Sequence, residues 1–99
     1  MSAYVIFIRE KTTDAAHLQH YAQTAPAARV GHDITRLAFY GQLDALEGPS
    51  AEGVAILRFT DMNAAHAWYN SAAYQEAREH RFKGAEYRVL LVEGSDSAL

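Results

Sequence analysis

Cysteine is absent from this 99-residue chain, which excludes disulfide bonds, thiolate metal sites and a cysteine nucleophile. No stretch approaches the roughly 20 consecutive apolar residues that a membrane-spanning helix needs. The sequence also lacks a run of lysine or arginine, and its formal net charge of −3 argues against a general nucleic-acid-binding protein. The first residues show no signal-peptide pattern. We therefore expect a soluble cytoplasmic protein that contacts neither nucleic acid nor membrane.

The sequence motifs of several common sites are missing as well. There is no glycine-rich dinucleotide or phosphate loop, no nucleophile elbow and no HExxH metal motif. Two pairs have helical spacing, His17 with His20 and Glu76 with His80, but neither pair has a third ligand at a recognisable distance. The remaining histidines, His32 and His66, are isolated in the sequence, and His32 is a minor candidate for proton transfer. We expect neither a metal ion nor a cofactor.

The composition that is present is that of one globular domain. Hydrophobic residues make up 49% of the chain and charged residues 21%, which is typical of a protein with a packed core. The length suits a single domain and leaves no room for a second core. The polar residues after Gly94 predict a flexible C-terminal tail, so we place the domain at residues 1–94 and the tail at residues 95–99.

Hydrophobic periodicity predicts four strands and three helices in the order βαββαβ, with the second helical region divided in two. The predicted strands cover about residues 3–10, 34–45, 52–59 and 87–92. The predicted helices cover about residues 15–29, 62–70 and 72–83, with a kink or restart at Pro26 in the first. This order is that of the ferredoxin-like plait, an α+β fold in which helices cover one face of a four-stranded antiparallel sheet.

The predicted strands are apolar on both faces, although the helices can cover only one. The pattern leaves open which strand positions face the helices, because the opposite set is nearly as apolar. The uncovered set would include about six large side chains, for example Val5, Phe7, Val54, Ile56, Leu90 and Val92. Leaving them in water would forfeit roughly 10–18 kcal/mol, at about 1.5–3 kcal/mol for each side chain. A whole domain is typically stable by only about 5–15 kcal/mol. The sequence therefore predicts a homodimer that pairs through its sheet faces.

The segment Ala65–Arg78, which reads AHAWYNSAAYQEAR, resembles the signature of the DUF1330 family. The resemblance extends to the start of the chain, to Leu46-Glu47-Gly48 and to Val89–Gly94, and so covers nearly the whole sequence. It implies a dimeric α+β barrel, in which two plaits pair through their sheets, and no agreed activity. The chain departs from the family pattern in the second strand, where Phe39-Tyr40-Gly41 replaces an Arg-Gly-Gly sequence. The resemblance implies that an anion contact made by that arginine in relatives would be absent here.

Aromatic residues are the first candidates for a binding site. Trp68, Tyr74 and Tyr21 have apolar rings that can line a pocket and polar tips that can bond to a ligand. The alternative interpretation is that these rings only pack the helices onto the sheet. Both interpretations remain open on the sequence alone.

Two charged residues complete the predicted site. Arg78 lies one helical turn beyond Tyr74, where its guanidinium could hold a substrate carboxylate or the carboxylate of Glu47. Glu47 follows the second strand and is the candidate catalytic acid or base. The alternative interpretation is that Arg78 is an exposed surface arginine and that Glu47 is an ordinary turn residue.

Three functions are compatible with these features. The first is a homodimer that binds a small organic metabolite in a pocket between sheet and helices, through Tyr21, Trp68, Tyr74 and Arg78. The second is a cofactor-free oxygenase or isomerase of the dimeric barrel type, with Glu47 or a histidine moving a proton. The third is an assembly module without a ligand.

Overall fold

The computed structural model describes residues 1–95 and has the predicted βαββαβ order. The strands are β1 (Ala3–Thr12), β2 (Ile34–Phe39), β3 (Gly53–Phe59) and β4 (Ala85–Glu93), and the helices are α1 (Ala15–Thr24), α2 (Met62–Tyr69) and α3 (Ala72–Gly84). The strands form one antiparallel sheet in the order β2-β3-β1-β4. This is the ferredoxin-like α+β fold that the sequence predicts. In residues 1–95, no helix combines the length and apolar character that crossing a membrane requires.

Two element boundaries differ from the prediction by several residues. Helix α1 ends at Thr24, and a 3₁₀ turn over Ala25–Arg29 follows with Pro26 in its first turn, because proline cannot continue the α-helical hydrogen-bond ladder. Strand β2 ends at Phe39 rather than near residue 45. Tyr40 has a φ of 55°, a left-handed conformation that interrupts an extended strand. Of the predicted tail, residues 96–99 lie outside the described residues.

Side-chain caps fix where the helices begin. The Asp14 carboxylate accepts hydrogen bonds from the amides of Ala16 and His17, at 3.1 and 3.4 Å, as expected for a residue at the start of α1. Asp61 does the same for α2 through the Ala64 amide, at 2.7 Å. Ser71 separates α2 from α3, since its hydroxyl donates to the Trp68 carbonyl at 2.7 Å. These short polar residues divide the second helical region in two.

The close approach of α1 to α3 depends on Gly84. Its carbonyl accepts hydrogen bonds from the backbone amides of Thr13 and Asp14, at 2.8 and 3.0 Å. A Cβ atom at position 84 would lie 2.6 Å from the backbone nitrogen of Leu18, which is too close for any side chain. The absence of a side chain at Gly84 therefore lets the end of α3 pack directly on the start of α1.

The sheet buries one face under the helices. Buried residues alternate with more exposed ones along the two central strands. The buried hydrophobic residues of these strands are Ala3, Val5, Phe7, Ala55, Leu57 and Phe59. These side chains form the core with α2 and α3, mainly through Ala65, Trp68 and Tyr74. These contacts form one continuous core between the sheet and the helices.

The opposite sheet face, which we call the outer face, is also apolar. Residues directly opposite one another in a sheet share a face, and Ile6 lies opposite both Ile56 and Leu90. The same register adds the apolar or aromatic side chains Tyr4, Ile8, Val54 and Val92 to the outer face, and it also places Arg58 and Arg88 there. Val5 and Phe7 were expected among the uncovered residues, but they belong to the buried face. On β1 the outer face is instead formed by Tyr4, Ile6 and Ile8, which lie opposite outer-face residues of β3 and β4.

Candidate functional site

A cavity of about 400 Å³ lies between the helix-facing side of the sheet and the layer formed by α1 and the 3₁₀ turn. The sheet contributes lining residues from its central strands, from the end of β2 and from the start of β4. Its lining consists of Phe7, Arg9, Leu18, Tyr21, Ala22, Ala25, Pro26, Arg29, Arg36, Phe39, Tyr40, Ala55, Leu57, Trp68 and Tyr87. This volume falls in the range of about 300–1,000 Å³ that is usual for small-molecule sites. Among residues 1–95, the titratable side chains in the lining are those of arginine and tyrosine.

One wall of the cavity holds a pair of tyrosines. The Tyr21 hydroxyl, on α1, lies 2.7 Å from the Tyr74 hydroxyl, on α3. Burial raises the pKa of Tyr21 far above its ordinary value, and the neighbouring Tyr74 raises it further. Burial also raises the pKa of Tyr74, against the opposing effect of Arg81. Both phenols are therefore protonated at neutral pH and act as hydrogen-bonding groups rather than as bases.

A second tyrosine pair lies where β2 ends. The Tyr40 hydroxyl is 2.9 Å from the Tyr87 hydroxyl, and both residues line the cavity. The positive φ of Tyr40 turns the chain just after β2. The Tyr40 ring lies over Gly53, since a Cβ atom at position 53 would be 2.7 Å from the ring. Burial raises the pKa of Tyr40, with a further contribution from the hydrogen bond to Tyr87.

Arg9 is held in place from two sides. Its guanidinium carbon lies 5.0 Å from the centre of the Tyr40 ring, a cation–π contact. Its Nε atom lies 3.4 Å from an oxygen of Glu52. The Thr12 hydroxyl donates to the same carboxylate oxygen at 2.6 Å. The hydrogen bonds from Thr12, assisted by Arg9, hold the pKa of Glu52 below its ordinary value.

Two further arginines line the cavity without a carboxylate partner in residues 1–95. Arg36 lies opposite Leu57 in the β2–β3 register, which places it on the helix-facing side of the sheet. Its guanidinium carbon is 4.5 Å from the centre of the Phe39 ring. Arg29 belongs to the last turn of the 3₁₀ helix and is half-buried. Together with Arg9, these side chains place three positive charges around a mostly apolar cavity.

Trp68 joins the cavity to the core. The side chain is 2% exposed, and its ring centre lies 4.1 Å from that of Tyr74 and 6.2 Å from that of Phe7. Its indole Nε1 atom is buried and has no hydrogen-bond acceptor among residues 1–95. Trp68 packs in the core and also lines the cavity, so its role in binding a ligand stays a prediction.

Arg81, on α3, lies behind the cavity. It is 3% exposed, and in residues 1–95 no carboxylate lies within ion-pair distance of it. The guanidinium contacts aromatic rings instead, with its carbon 5.1 Å from the centre of the Tyr87 ring and 5.7 Å from that of Phe7. Both rings line the cavity. A fourth positive charge therefore lies one ring away from the cavity interior.

The structure brings together some of the residues that the sequence nominates. Tyr21 and Trp68 line the cavity, and Tyr74 contacts both from behind. Arg78 lies outside the lining, with its guanidinium carbon 5.1 Å from the ring centres of Tyr69 and Phe82. Glu47 is exposed in the segment between β2 and β3 and is also outside the lining. The functional roles assigned to these five residues stay predictions.

Sequence reasoning did not nominate Arg9, Arg29, Arg36, Tyr40 or Tyr87. Arg9 and Tyr87 lie opposite each other in the β1–β4 register, so pairing the predicted strands would have placed them together. Arg36 lies opposite Leu57, a buried residue of β3. Pairing β2 with β3 in this register would therefore have placed Arg36 on the helix-facing side of the sheet. Arg29 carried no comparable signal, because the 3₁₀ turn sets its position.

The histidines of α1 and α3 meet in space. The His80 ring is stacked on that of His17, with centres 5.8 Å apart, and lies 5.0 Å from that of His20. His80 of one helical pair thus meets both histidines of the other pair at the α1–α3 contact. Even so, no three or more His, Cys, Asp or Glu side chains of residues 1–95 are arranged to hold a metal ion.

Solved structures with the same fold include proteins of several descriptions. A protein of unknown function from Rhodopseudomonas palustris has a TM-score of 0.75 and 17% identity, with 94% of this chain and 82% of that chain covered. A dimeric ferredoxin-like protein of unknown function from Jannaschia has a TM-score of 0.67 and 13% identity, with 95% and 100% covered. SnoaB, a cofactor-independent oxygenase from Streptomyces nogalater, has a TM-score of 0.62 and 13% identity, with 94% and 92% covered. At these identities the likeness concerns the fold alone.

The sequence itself matches one family. Comparison with curated proteins finds no significant match. The family model described as "Domain of unknown function (DUF1330)" matches residues 2–95, which is nearly the whole chain and agrees with the resemblance carried by the segment Ala65–Arg78. This chain therefore belongs to the DUF1330 family.

Proposed function

We propose that this protein is a homodimer whose subunits each bind a small organic molecule in the cavity between sheet and helices. The observation that carries the binding proposal is the open cavity of about 400 Å³ with an aromatic lining. In a small domain such a space removes core contacts, and apolar interiors are otherwise packed closely. A ligand that fills the cavity would restore those contacts.

The lining supports binding by shape and by a few polar groups. Phe7, Leu57 and Trp68 supply apolar surface on the sheet and α2 side, while Leu18 and Tyr21 supply it on the α1 side. The polar groups are arginine guanidinium groups and phenol hydroxyls. This combination of a mostly apolar wall with few, well-placed polar groups is typical of small-molecule sites.

The binding proposal is tested by filling the cavity. Ala22 lines the cavity from α1 and is exposed, so Ala22→Phe can occupy the space without displacing a core side chain. Ala16→Phe, at an exposed position of the same helix outside the lining, is the matched control. In a thermal-shift screen of metabolites, we expect hits that raise the Tm of the native protein and of Ala16→Phe but not of Ala22→Phe. Hits that stabilise all three proteins equally, or an absence of hits, would contradict the proposal.

The homodimer proposal rests on the outer face. Leu90 and Val92 of this face are 44% and 49% exposed, and their neighbours across β1 are also apolar. A second copy of the chain would cover this surface with an identical surface, as in most symmetric dimers. The solved Jannaschia protein of the same fold is described as dimeric.

A charge on the outer face tests the dimer. Leu90→Glu changes an exposed residue, so the fold of a subunit should tolerate it, but it would bury a carboxylate at a sheet-to-sheet interface. Val30→Glu, at a residue that is 81% exposed and away from the sheet, controls for the added charge. By sedimentation velocity at micromolar concentration, we expect dimers of the native protein and of Val30→Glu and monomers of Leu90→Glu. A native protein that sediments as a monomer would refute the homodimer.

A cofactor-free oxygenase or isomerase is the second candidate. SnoaB, which has the same fold, is described as a cofactor-independent oxygenase, and the cavity here has aromatic walls. Among residues 1–95, the lining contains no carboxylate and no imidazole, so proton removal would need Glu47 or another group from outside the lining. Under this hypothesis Glu47→Gln abolishes turnover and leaves Tm nearly unchanged. Binding without oxygen consumption or isomerisation would favour the first candidate.

The assembly module without a ligand is the third function, and the two experiments separate it from the others. A native dimer combined with a cavity that takes up no compound would favour it. Retention of a small molecule through purification, observed by native mass spectrometry, would argue against it.

A further inference from the structure

We propose that the cavity takes an aromatic carboxylate, whose charged group is held by the cavity-lining arginines and whose ring lies against the aromatic wall. This inference rests on the proposed function, since it names the class of molecule that the cavity binds. It goes beyond that proposal because a site for neutral metabolites would need none of the charges described below.

The first support is the sign of the charges in the lining. Arg9, Arg29 and Arg36 line the cavity, and no aspartate or glutamate among residues 1–95 does. A guanidinium group carries its positive charge at any physiological pH and presents paired N–H donors that match the two oxygens of a carboxylate. In a partly buried site, these charges act through a lower effective dielectric than in water. The cavity therefore favours an anion over a neutral molecule or a cation.

The second support is the limited compensation of those charges by the protein. The side chain of Arg9 has an ion-pair partner in Glu52, at 3.4 Å. Neither Arg29 nor Arg36 has a carboxylate within ion-pair distance among residues 1–95. Arg36 instead lies against the Phe39 ring, which orients the guanidinium but does not neutralise it. A ligand carboxylate would supply the missing negative charge.

Arg81 adds to the positive potential from behind the wall. It is buried, has no carboxylate partner in the described part of the chain and contacts two rings that line the cavity, Phe7 and Tyr87. A buried cation without a counter-ion is costly for folding. Its presence here is consistent with a site whose occupant is negatively charged.

The shape and chemistry of the wall point to the rest of the ligand. Six aromatic side chains line the cavity: Phe7, Tyr21, Phe39, Tyr40, Trp68 and Tyr87. Aromatic walls favour a planar ring through stacked and edge-to-face contacts. The Trp68 indole N–H, which has no acceptor in residues 1–95, would gain one from a ligand oxygen. The volume of about 400 Å³ suits a molecule of one or two rings.

The experiment compares benzoate with benzamide, which has the same ring and a similar size but no charge. Trp68 is the single tryptophan and lines the cavity, so quenching of its fluorescence reports binding at this site, and calorimetry gives the dissociation constant. We expect benzoate to bind about tenfold to a hundredfold more tightly than benzamide, the usual range for a charged hydrogen-bonded partner. Equal affinities would overturn the carboxylate inference and leave the proposed function intact.

Matched charge changes locate the anion. Arg36→Gln removes a lining charge at an exposed position, whereas Lys83→Gln removes an exposed charge outside the lining. We expect the first variant to weaken benzoate binding by about tenfold or more and to leave benzamide binding unchanged, and the second to alter neither. If both variants weakened benzoate binding equally, the affinity would depend only on the net charge of the protein, and the inference would be overturned. Failure of both probes to bind at millimolar concentration would overturn it too, and the metabolite screen with Ala22→Phe then decides the proposed function separately.

Discussion

The Tyr21 and Tyr74 hydroxyl groups lie 2.7 Å apart and join helices α1 and α3 at one wall of the cavity. Tyr74 is 0% exposed, so its hydroxyl has no access to bulk water. A buried hydroxyl that loses its partner pays most of its desolvation cost. This pair therefore connects the stability of the helical layer to the geometry of the site.

A double-mutant cycle tests this pair. We expect Tyr21→Phe to lower the free energy of unfolding by about 1–3 kcal/mol, because the Tyr74 hydroxyl stays buried without this partner. Tyr21→Phe combined with Tyr74→Phe should cost less than the sum of the two single variants, since no hydroxyl is then left unpaired. Urea denaturation of the four proteins measures the coupling. Strict additivity would show that the hydrogen bond contributes nothing to stability.

The raised tyrosine pKa values predict loss of stability at alkaline pH. The ordinary tyrosine pKa is 10.0, and burial raises that of Tyr21 and of Tyr40 well above it in the folded protein. Below pH 10 both phenols are protonated in the folded and the unfolded chain, so their contribution is fully present. Above pH 10 the unfolded chain releases protons that the folded protein keeps, and the free energy of unfolding falls as pH rises.

Urea denaturation at pH 8, 9, 10 and 11 checks this pH dependence. The native protein should lose stability between pH 10 and 11, and Tyr40→Phe should lose less over the same interval, because it lacks one of the titrating groups. A free energy of unfolding that is constant up to pH 11 would mean that these phenols ionise equally in both states.

Much of the fold was predictable from the sequence because strong local signals agree with one another. Asp14, Asp61 and Ser71 are short polar residues ahead of helical periodicity, and each caps the expected helix. The apolar pattern of the central strands predicted a sheet buried on one side and apolar on the other. It did not give the parity, because both faces of β1 are apolar and alternation cannot distinguish them. Val5 and Phe7 were given as examples of the uncovered set for this reason, although they lie on the buried face.

The candidate site was less predictable because it is assembled by tertiary contacts. The aromatic segment on α2 and α3 identified Trp68, and the α1 stripe identified Tyr21. The arginines of the cavity come from β1, the 3₁₀ turn and β2, and only strand pairing and helix packing bring them together. Arg78 was nominated because it follows Tyr74 by one turn, yet its guanidinium lies against Tyr69 and Phe82. Spacing along one helix could not show which side chains the sheet would bring to the cavity.

Trp68→Ala distinguishes packing from binding at the residue that takes part in both. The indole is 2% exposed and contacts Phe7, Phe59 and Tyr74, so we expect a loss of about 3–5 kcal/mol in the free energy of unfolding. Trp68→Phe should cost less and keep an aromatic wall. Denaturation in urea measures both losses. A loss below about 1 kcal/mol for Trp68→Ala would mean that the ring packs poorly and belongs to the cavity alone.

Arg81→Met separates the stability of the fold from the charge of the site. Methionine can replace the apolar stem of the arginine, and it removes the guanidinium over Phe7 and Tyr87, a buried cation that has no carboxylate partner in residues 1–95. Replacing a buried charge with an apolar residue of similar size is often neutral or stabilising. We therefore expect Arg81→Met to unfold at the same or a higher urea concentration and to bind benzoate more weakly than the native protein does. Arg81→Ala, which also deletes the stem, should be less stable than both. The Arg81 guanidinium also donates to the Tyr69 hydroxyl, at 3.4 Å. A loss of several kcal/mol in Arg81→Met, of the size seen in Arg81→Ala, would show instead that the guanidinium group stabilises the core through this hydrogen bond and the surrounding rings.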